Sequence, residues 1–378
     1  MNTTFQNATQ RPVAPFRHDI VGSFLRPAAI KEARAKFAAG EITAQELRKV
    51  EDIEITKLVQ NQKEVGLKGV TDGEFRRSWW HLDFFWGFDG VEKKQLDHGY
   101  NFHGGETRAE TSVLTGKISC STHPQLEDFK FLKSVAGDDV LVRQNIPSPA
   151  QFLYELTRPE NKAVTDSIYP NFKDLLTDVA TAYNKAIRDF YDAGCRNLQV
   201  DDCTWGILCD PKIRAAKEAA GEDVNETLRT NVEVNNRALE GLPADLVINM
   251  HVCRGNYKSD WLAEGAYDAV ADILLGGSNV TGFYLEFDTA RAGGYEPLGY
   301  LKGKQVVIGI FSSKFGELED RNQILARIEE ATKIVDINQI SISTQCGFAS
   351  TEEGNILTEE QQWNKLRFIK EIADGIWH

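Results

Sequence analysis

The sequence predicts an α/β protein: a single (β/α)8 barrel, or TIM barrel, with a β-hairpin or loop region inserted after the second strand. Three observations support this fold. Eight short apolar segments rich in β-branched residues recur along the chain, and helical patterns separate most of them. These segments are apolar on both faces, which is typical of buried parallel strands. The chain also shows no sequence repeat of fixed period.

The elements follow from the spacing of apolar residues, which alternates in strands and recurs every three or four residues in helices. The predicted strands are 18–24, 69–75, 140–149, 196–202, 245–253, 282–288, 304–314 and 339–348. The predicted helices are 31–40, 42–66, 169–194, 229–242, 267–277, 321–335 and 359–377. The helix over 169–194 ends at Gly194, a residue type that commonly terminates helices.

Residues 80–139 interrupt this alternation. Within them, the segment ETRAETSVLTGKISC alternates polar and apolar residues, which predicts an antiparallel hairpin over the barrel mouth. The alternative is a long loop in which the alternation is accidental. Residues 1–15 are polar and lack the apolar stretch of a signal peptide, so we expect a flexible tail. Residues 16–378 then form the catalytic barrel.

Composition narrows the class of protein. The chain has 378 residues, of which 42% are hydrophobic, enough for a large core. A formal net charge of −13 disfavours binding to nucleic acids, whose phosphates it repels. No run of 18 apolar residues occurs, so we expect no membrane span. We expect a cytoplasmic protein whose six cysteines are free thiols or metal ligands. The sequence does not indicate which oligomeric state the protein adopts.

Residues able to bind a metal lie at the predicted carboxyl ends of strands, where barrels place their active sites. His251 and Cys253 are two residues apart in a strand, so their side chains point the same way. Sulfur together with imidazole selects zinc over magnesium or calcium. Glu286 lies at the end of the next predicted strand and Cys346 at the end of the last, and they would complete the set. Ligands dispersed over three strands favour a catalytic zinc site over a closed structural one.

The simpler interpretation is packing, because an isolated H-x-C pair is a weak signal and buried cysteines usually act as small hydrophobes. For three other cysteines we favour packing: Cys195, Cys203 and Cys209.

At these residues the sequence resembles the cobalamin-independent methionine synthase superfamily, specifically its catalytic C-terminal half and its short stand-alone bacterial members. The match runs from HDIVGSFLRP to STQCGFAST. In the family, one zinc ion is held by an H-x-C pair, a later glutamate and a late cysteine, which correspond to His251, Cys253, Glu286 and Cys346. The resemblance implies a zinc-dependent S-methyltransferase that converts homocysteine to methionine, with 5-methyltetrahydrofolate as the expected donor.

The resemblance also implies an amino-acid pocket. The family's I-G-S turn, which holds the homocysteine carboxylate, looks like Val21-Gly22-Ser23. Backbone N–H groups and a hydroxyl in such a turn suit an anion. Its G-E motif corresponds to Gly73-Glu74, and its D-E motif to Asp201-Asp202, with Asp201 matching the carboxylate that binds the amine.

For the carboxylates, structural interpretations stay open. Glu74 alternatively pairs with Arg76 or Arg77 on the surface, and Asp201 and Asp202 alternatively cap a helix. Aromatic residues after the second strand either stack on a pterin and cover the pocket or form a plain hydrophobic cluster. They are Trp79, Trp80, Phe84, Phe85 and Trp86.

Two departures from the family concern the methyl donor. The chain is too short to include the second, N-terminal barrel of the full-length synthases. After the seventh strand the family has an aspartate-x-histidine-serine stretch, whose histidine is a candidate proton donor. Here the segment reads GIFSSK, with Lys314 near the position of that histidine. We therefore take Lys314, Asp202 or a water as the proton donor to the leaving group.

Two other functions are weighed. One is a related zinc-dependent thiol alkyltransferase that uses another thiol or another donor, such as a methylcorrinoid or an S-methyl compound. The other is a zinc-stabilised binding or decarboxylase-like barrel, for which Arg17 and Arg26 would grip propionate groups. All three readings expect small-molecule substrates and no nucleic-acid or membrane partner.

Overall fold

The computed structural model describes residues 5–102 and 105–378. Its strands in chain order are β1 Gly69–Val70, β2 Asp89–Gln95, β3 Asn101–Phe102, β4 Gly105–Glu106, β5 Glu110–Ser119, β6 Leu141–Pro147, β7 Asn197–Asp202, β8 Val247–Val252, β9 Gly282–Glu286, β10 Gln305–Phe311 and β11 Ile340–Thr344.

The α-helices surround these strands. They are α1 Ala28–Ala38, α2 Ala44–Glu64, α3 Leu82–Phe85, α4 Gln125–Ala136, α5 Pro149–Thr157, α6 Pro159–Ile168, α7 Phe172–Asp192, α8 Thr204–Cys209, α9 Pro211–Ala219, α10 Val224–Ala238, α11 Ala271–Gly277, α12 Arg321–Ala331 and α13 Glu359–Ile376. Short 3-10 helices occur at Tyr267–Ala269, Ala290–Ala292, Glu296–Leu301 and Ile337–Gln339.

Seven strands form one parallel sheet in the order β1-β6-β7-β8-β9-β10-β11. Every residue of β9 and β11 is buried, as expected for a parallel sheet covered by helices. The predicted α/β class with a parallel sheet is therefore confirmed. Consecutive parallel strands align their carboxyl ends, so the segments that follow them meet at one edge of the sheet.

The first predicted strand, 18–24, is not a strand of this sheet. It forms a single parallel bridge, between His18 and Ile342. The carboxylate of Asp19 accepts hydrogen bonds from the backbone N–H groups of Phe16 and Ile20, at 3.1 and 2.8 Å. These two N–H groups are therefore not available to a regular ladder.

The same segment nevertheless lies between β11 and the residues that follow β1. Asp19 N–H donates to the carbonyl of Ile342 in β11 at 3.0 Å. At its other end, Phe24 N–H donates to the carbonyl of Gly73 at 3.1 Å, three residues after β1. Residues 17–24 thus contact one edge strand of the seven-stranded sheet and the segment that follows the other.

Residues 80–139 contain an antiparallel pair formed by β2 and β5, with Glu92 opposite Val113. The short strands β3 and β4 also pair antiparallel. The same region includes α3 and α4, which the sequence did not predict. It is therefore neither a single hairpin nor a plain loop.

Residues 8–15, part of the expected flexible tail, pack against the end of the chain. Ala8 and Ala14 are buried, and Gln10 N–H donates to the carbonyl of His378 at 3.2 Å. Residues 1–4 lie outside the described part of the chain.

Helix starts show why these segments fold as they do. In α2, Thr43 and Glu46 form a capping box: the Thr43 hydroxyl accepts from Glu46 N–H, and the Glu46 carboxylate accepts from Thr43 N–H. Three helices that the sequence did not predict, α5, α6 and α9, begin with a proline in the first turn. Proline is tolerated there because that N–H has no helical partner. None of the described helices is both long and apolar enough to cross a bilayer.

Candidate active site

Four metal-capable side chains meet at the carboxyl edge of the sheet. His251 lies in β8 and Cys253 directly follows it, Glu286 ends β9, and Cys346 follows β11. One nitrogen, one oxygen and two sulfur atoms from these residues all lie within 4.8 Å of one another. All four residues are buried. Strand geometry thus brings together residues separated by up to 95 positions in the chain (251 to 346).

The donor atoms of the cluster have the chemistry and spacing of a metal site. His251 Nδ1 donates to the carbonyl of Tyr284 at 3.3 Å, which leaves the lone pair on Nε2. Nε2 is buried and has no hydrogen-bond partner among the described residues. The sulfur atoms of Cys253 and Cys346 are 3.7 Å apart. Two thiolates on one tetrahedral zinc would be about 3.8 Å apart, so this separation fits that ion.

Glu286 is held in place from two sides. Arg254 N–H donates to its Oε1 at 2.8 Å, and Arg291 Nη2 donates to Oε2 at 3.3 Å. Each carboxylate oxygen has a second lone pair and can still bind a cation.

The electrostatics of the cluster favour a cation. The pKa of the Cys253 thiol is raised well above its usual range by the adjacent Cys203 and by burial. The pKa of Cys346 is raised for the same reasons, with Cys253 as its neighbour. Burial alone would lower the pKa of His251, but Cys346 and Glu286 outweigh it and raise the pKa. Because the two thiols oppose each other's ionisation, a bound cation would stabilise the thiolates.

The cluster opens into a cavity. His251, Cys253 and Cys346 line it. Much of the remaining wall is aromatic, from Trp79, Trp80, Tyr100, Phe102, Tyr154 and Tyr257. Of the aromatic residues singled out in the sequence, Trp79 and Trp80 thus reach the cavity. Phe84 and Phe85 are buried elsewhere, stacked on His123 and Phe152.

The predicted anion turn lies beside this cavity. Val21 and Ser23 line it, and the Ser23 hydroxyl accepts from Ala349 N–H at 3.2 Å. At Gly22, with φ +151°, a Cβ would lie 2.2 Å from Nδ2 of Asn145. A side chain at position 22 would collide with Asn145 in the neighbouring strand β6, so only glycine fits there.

Glu74 lines the cavity but is not free. Its carboxylate forms an ion pair with Arg77, and both side chains are largely buried. Glu74 thus pairs with Arg77, one of the two arginines named as alternative partners, although this pair is buried and not on the surface. Gly73 and Glu74 both have positive φ values, +67° and +61°. Left-handed backbone at a non-glycine residue is strained, and it aims Glu74 toward the cavity wall.

Asp201 lines the cavity as the resemblance implies. Gln199 Nε2 donates to its Oδ1 at 2.8 Å, and Asn145 Nδ2 lies 3.5 Å from Oδ2. Burial raises the pKa of Asp201 from its usual value to about 7. Asp201 is therefore close to half ionised at neutral pH.

Both side chains predicted as proton donors are engaged in hydrogen bonds to other parts of the protein, and neither lines the cavity. Asp202 is fully buried and accepts hydrogen bonds from four neighbours, which are Ser148, Thr204, Trp205 and Asn235. These donors occupy its oxygens on the side away from the cavity, because β7 alternates its faces.

Lys314 is likewise engaged. Its Nζ donates to Gly255 O, Asn256 Oδ1 and Asp260 O at 3.4, 2.8 and 2.9 Å. All three ammonium hydrogens are used in fixing residues 255–260. Lys314 therefore stabilises that loop. The order of the strands in the sequence does not predict this contact.

Two arginines considered for a propionate-binding function also face inward. Arg17 donates to the carbonyls of Thr9, Asn338 and Ile340. Arg26 donates to those of Phe24, Ala349 and Glu74. Both are buried, so neither is available to grip a ligand carboxylate.

Several cavity residues were missed in the sequence. Cys203, assigned there to packing, lies in one cluster with Cys253 and Cys346. His81 and Arg77 line the same cavity. In the sequence, His81 stands out only because it follows two tryptophans at the start of the insertion. That position does not indicate which residues or cavity the side chain faces.

Comparisons with known proteins show which proteins the whole chain is similar to. No family model matches the chain. The chain is 46% identical to the uncharacterised protein YxjH of Bacillus subtilis, covering 100% of this chain and 98% of that one. It is 27% identical over 342 residues to the methionine synthase of Saccharolobus islandicus, covering 87% and 86%. A solved structure of a putative vitamin-B12 independent methionine synthase from Listeria monocytogenes is similar with 42% identity and a TM-score of 0.77, covering 97% and 100%.

Proposed function

Because the chain belongs to the cobalamin-independent methionine synthase superfamily and is on that ground a methyltransferase, we propose that it transfers a methyl group to the thiol of homocysteine, using one zinc ion. The observation that carries this proposal is the cluster of His251, Cys253, Glu286 and Cys346, three of which line a cavity. A structural zinc site would be enclosed by its ligands, whereas this cluster borders the space a substrate would enter.

We propose that these four residues hold the zinc ion. When bound, zinc supplies a Lewis acid that lowers the pKa of a substrate thiol, so that the thiolate nucleophile is available at neutral pH. The chain's own contribution is orientation. The Tyr284 carbonyl fixes the ring of His251, and Arg254 N–H with Arg291 fixes Glu286.

The pocket around the cluster would bind the amino-acid part of the substrate. Asp201, when ionised, would accept hydrogen bonds from the ammonium group. Ser23 and the Gly22 turn would bind the carboxylate. Glu74 and Arg77 form a neutral pair in the wall, so together they add no net charge against either group. The aromatic wall excludes water and suits a planar methyl donor such as 5-methyltetrahydrofolate.

At the level of the whole fold, we propose that residues 17–24 act as the eighth element of a (β/α)8 barrel, because they contact both β11 and the residues after β1. Residues 16–378 would then be one catalytic domain that carries the insertion at 80–139. None of the six cysteines forms a disulfide, which supports our proposal of a reducing, cytoplasmic location.

A second candidate is transfer from another donor, such as a methylcorrinoid or an S-methyl compound. The observation that favours it is the engagement of Asp202 and Lys314 away from the cavity. A folate nitrogen needs a proton as it leaves, whereas a corrinoid leaves with its electron pair and needs none.

The experiment is methyl transfer to homocysteine by the zinc-loaded chain with a panel of donors. The panel contains 5-methyltetrahydrofolate, methylcobalamin and a small S-methyl compound, and methionine is measured directly. Methionine from the folate supports the first proposal, and methionine from another donor alone supports the second. If no donor yields methionine, homocysteine is not the acceptor.

A further inference from the structure

The two halves of the proposed amino-acid pocket come from different parts of the chain. The carboxylate would bind at the turn formed by Val21, Gly22 and Ser23, which is not part of the sheet, and the ammonium group would bind at Asp201 in β7. An α-amino acid carries both groups on one carbon atom, so the distance between these two subsites decides whether it fits. The side chains that set this distance therefore bear on which thiol the site accepts.

The backbone of the turn is held by side chains and not by a strand ladder. The carbonyl groups of three consecutive residues accept hydrogen bonds from β6, from β7 and from the residue after β1. These bonds run from Arg143 Nη2 to Ile20, from Asn145 Nδ2 and Gln199 Nε2 to Val21, and from Thr71 Oγ1 to Gly22. The N–H groups of Val21, Gly22 and Ser23 donate to no described residue, so they remain available to an anion.

Gln199 joins the two subsites through a single atom. Its Nε2 donates to the carbonyl of Val21 at 2.6 Å and to Oδ1 of Asp201 at 2.8 Å. A side-chain amide nitrogen carries two hydrogens, so both bonds form at once. A backbone carbonyl can only accept, which fixes the nitrogen of Gln199, and not its oxygen, on this side. Because one planar NH2 group serves both acceptors, its geometry sets their separation.

Asn145 makes a weaker second bridge of the same kind. Its Nδ2 donates to the carbonyl of Val21 at 2.8 Å and lies 3.5 Å from Oδ2 of Asp201. Asn145 lies in β6, which pairs with β7. The carbonyl of Val21 and the carboxylate of Asp201 are thus joined twice, by amide groups from two neighbouring strands.

The location of Gln199 suits a positioning role. It is fully buried and does not line the cavity, so it does not contact a ligand there. It lies two residues before Asp201 on the same face of β7, and β7 is paired on both sides, with β6 and β8. Gln199 Oε1 has no hydrogen-bond partner among the described residues. The two bonds of Nε2 are therefore the ones that this side chain contributes.

On the premise of the proposed function, we infer that Gln199, with Asn145 as a second bridge, fixes the separation of the carboxylate and ammonium subsites and thereby makes the site specific for thiols that carry both groups on one carbon atom. Binding of the carboxylate at the turn then places the ammonium group at Asp201, so each group binds more tightly when the other is present. Gln199 and Asn145 are positioning residues, and neither takes part in the transfer itself.

The test measures this cooperation with four thiols. They are homocysteine, 3-aminopropane-1-thiol, which lacks the carboxylate, 4-sulfanylbutanoate, which lacks the ammonium group, and propane-1-thiol, which lacks both. Calorimetry gives the dissociation constant of each for the zinc-loaded full chain without a methyl donor. Cooperation is the factor by which homocysteine binds more tightly than its two groups predict when each is present alone. A change that affects all four thiols equally, such as a weaker zinc–sulfur bond, cancels in this cycle.

The wild type is expected to show cooperation of about tenfold or more. Gln199→Met keeps the length of the side chain but removes both bonds. It is expected to lower the cooperation to about twofold or less and to raise the dissociation constant of homocysteine about tenfold or more.

The matched control is Asn197→Leu. Asn197 lies on the same strand and the same face, is fully buried, and has no side-chain partner among the described residues. This variant should show the cooperation of the wild type. If thermal unfolding shows that Gln199→Met does not fold, Asn145→Leu takes its place, and a partial loss of cooperation is expected.

The outcomes separate the two proposals. If the wild type binds homocysteine without cooperation, or if the folded Gln199→Met or its replacement shows the cooperation of the wild type, the role of the two amides is overturned and the proposed function stands. If the folded, zinc-loaded wild type does not bind homocysteine, the proposed function is overturned and the role of the amides with it.

Discussion

At the residue scale, Asp201 shows how burial adapts a side chain to its task. Its carboxylate lies in the cavity wall with Gln199 and Asn145 as hydrogen-bond donors, yet burial dominates and raises its pKa to about 7. An empty pocket therefore carries little net negative charge at that position. Arrival of an ammonium group would favour the ionised form, so binding and ionisation support each other.

We predict that homocysteine affinity depends on pH through Asp201. The ionised form, which binds the ammonium, prevails above pH 7 and is lost as the pH falls through about 7. Affinity should then fall by up to about tenfold per pH unit. The measurement is the KM for homocysteine of zinc-loaded protein between pH 5.5 and 8.5, beside Asp201→Asn.

Asp201→Asn should bind homocysteine about ten- to a hundredfold more weakly at pH 8, at about 1.5–3 kcal/mol for a charged hydrogen bond. Its affinity should lack the step near pH 7, and its zinc content should be unchanged. A variant with the wild-type pH profile would show that Asp201 serves another purpose.

Residue types and their order in the chain, together with the family resemblance, predicted which four metal-capable side chains would meet. His251, Cys253, Glu286 and Cys346 do meet, because strand ends align in a parallel sheet whatever lies between them. Side-chain partners were not predictable in the same way. Lys314 is engaged by a loop more than fifty residues earlier, a contact that no local pattern encodes.

At the scale of elements, the loop after β8 borders the cavity and is fixed by a residue from another part of the chain. Residues 255–260 follow the metal-binding pair, and Asn256 and Tyr257 line the cavity. Lys314, just after β10, donates to Gly255, Asn256 and Asp260 of this loop. The buried ammonium group of Lys314, after β10, thus fixes a part of the cavity wall that follows β8.

We predict that Lys314→Met loosens this wall without removing a proton donor. The unfolding free energy should fall by about 1.5–3 kcal/mol, the range for hydrogen bonds to a charged group. The pH profile of methyl transfer should keep its shape while the KM for homocysteine rises. Denaturant unfolding and steady-state kinetics measure these quantities. Lys212→Met, at a side chain that is 85% exposed, is the control and should change neither. A missing limb in the pH profile of Lys314→Met would restore its role as a proton donor.

Periodicity predicted the seven strands of the central sheet, and each observed strand lies within its predicted segment. It failed at 18–24, where the Asp19 side chain takes the place of ladder partners. It also missed α5, α6 and α9, because a proline in the first turn resembles a loop signal. Strands are encoded by local apolar runs, whereas short helices depend on the surfaces they pack against.

At the scale of the whole molecule, charge bears on the choice of donor. The net charge is −13, so the average surface repels an anionic chain. Two basic residues near the cavity are already paired within the protein. Arg76 pairs with Glu51 and Asp52, and Arg108 with Glu352.

We predict that added glutamates on a folate donor give little gain. Each exposed ion pair is worth about 0–1 kcal/mol, so catalytic efficiency with triglutamyl and monoglutamyl 5-methyltetrahydrofolate should differ by less than about tenfold. The two are compared at physiological salt and again at low salt, where any exposed contacts become stronger. A preference of about a hundredfold or more for the triglutamate would reveal a dedicated tail site.

The central claim is that the His251, Cys253, Glu286 and Cys346 cluster holds the zinc ion required for methyl transfer to homocysteine. The most direct measurement is a zinc titration of metal-free full-length protein, in which bound zinc and methionine formation are followed together. Methionine formation should rise from none to a plateau at one zinc per chain. Cys346→Ser should weaken both zinc binding and turnover. The control Cys195→Ser, at a buried cysteine outside the cluster, should leave both unchanged. Methionine formed without zinc, or zinc binding that is indifferent to Cys346, would contradict the account.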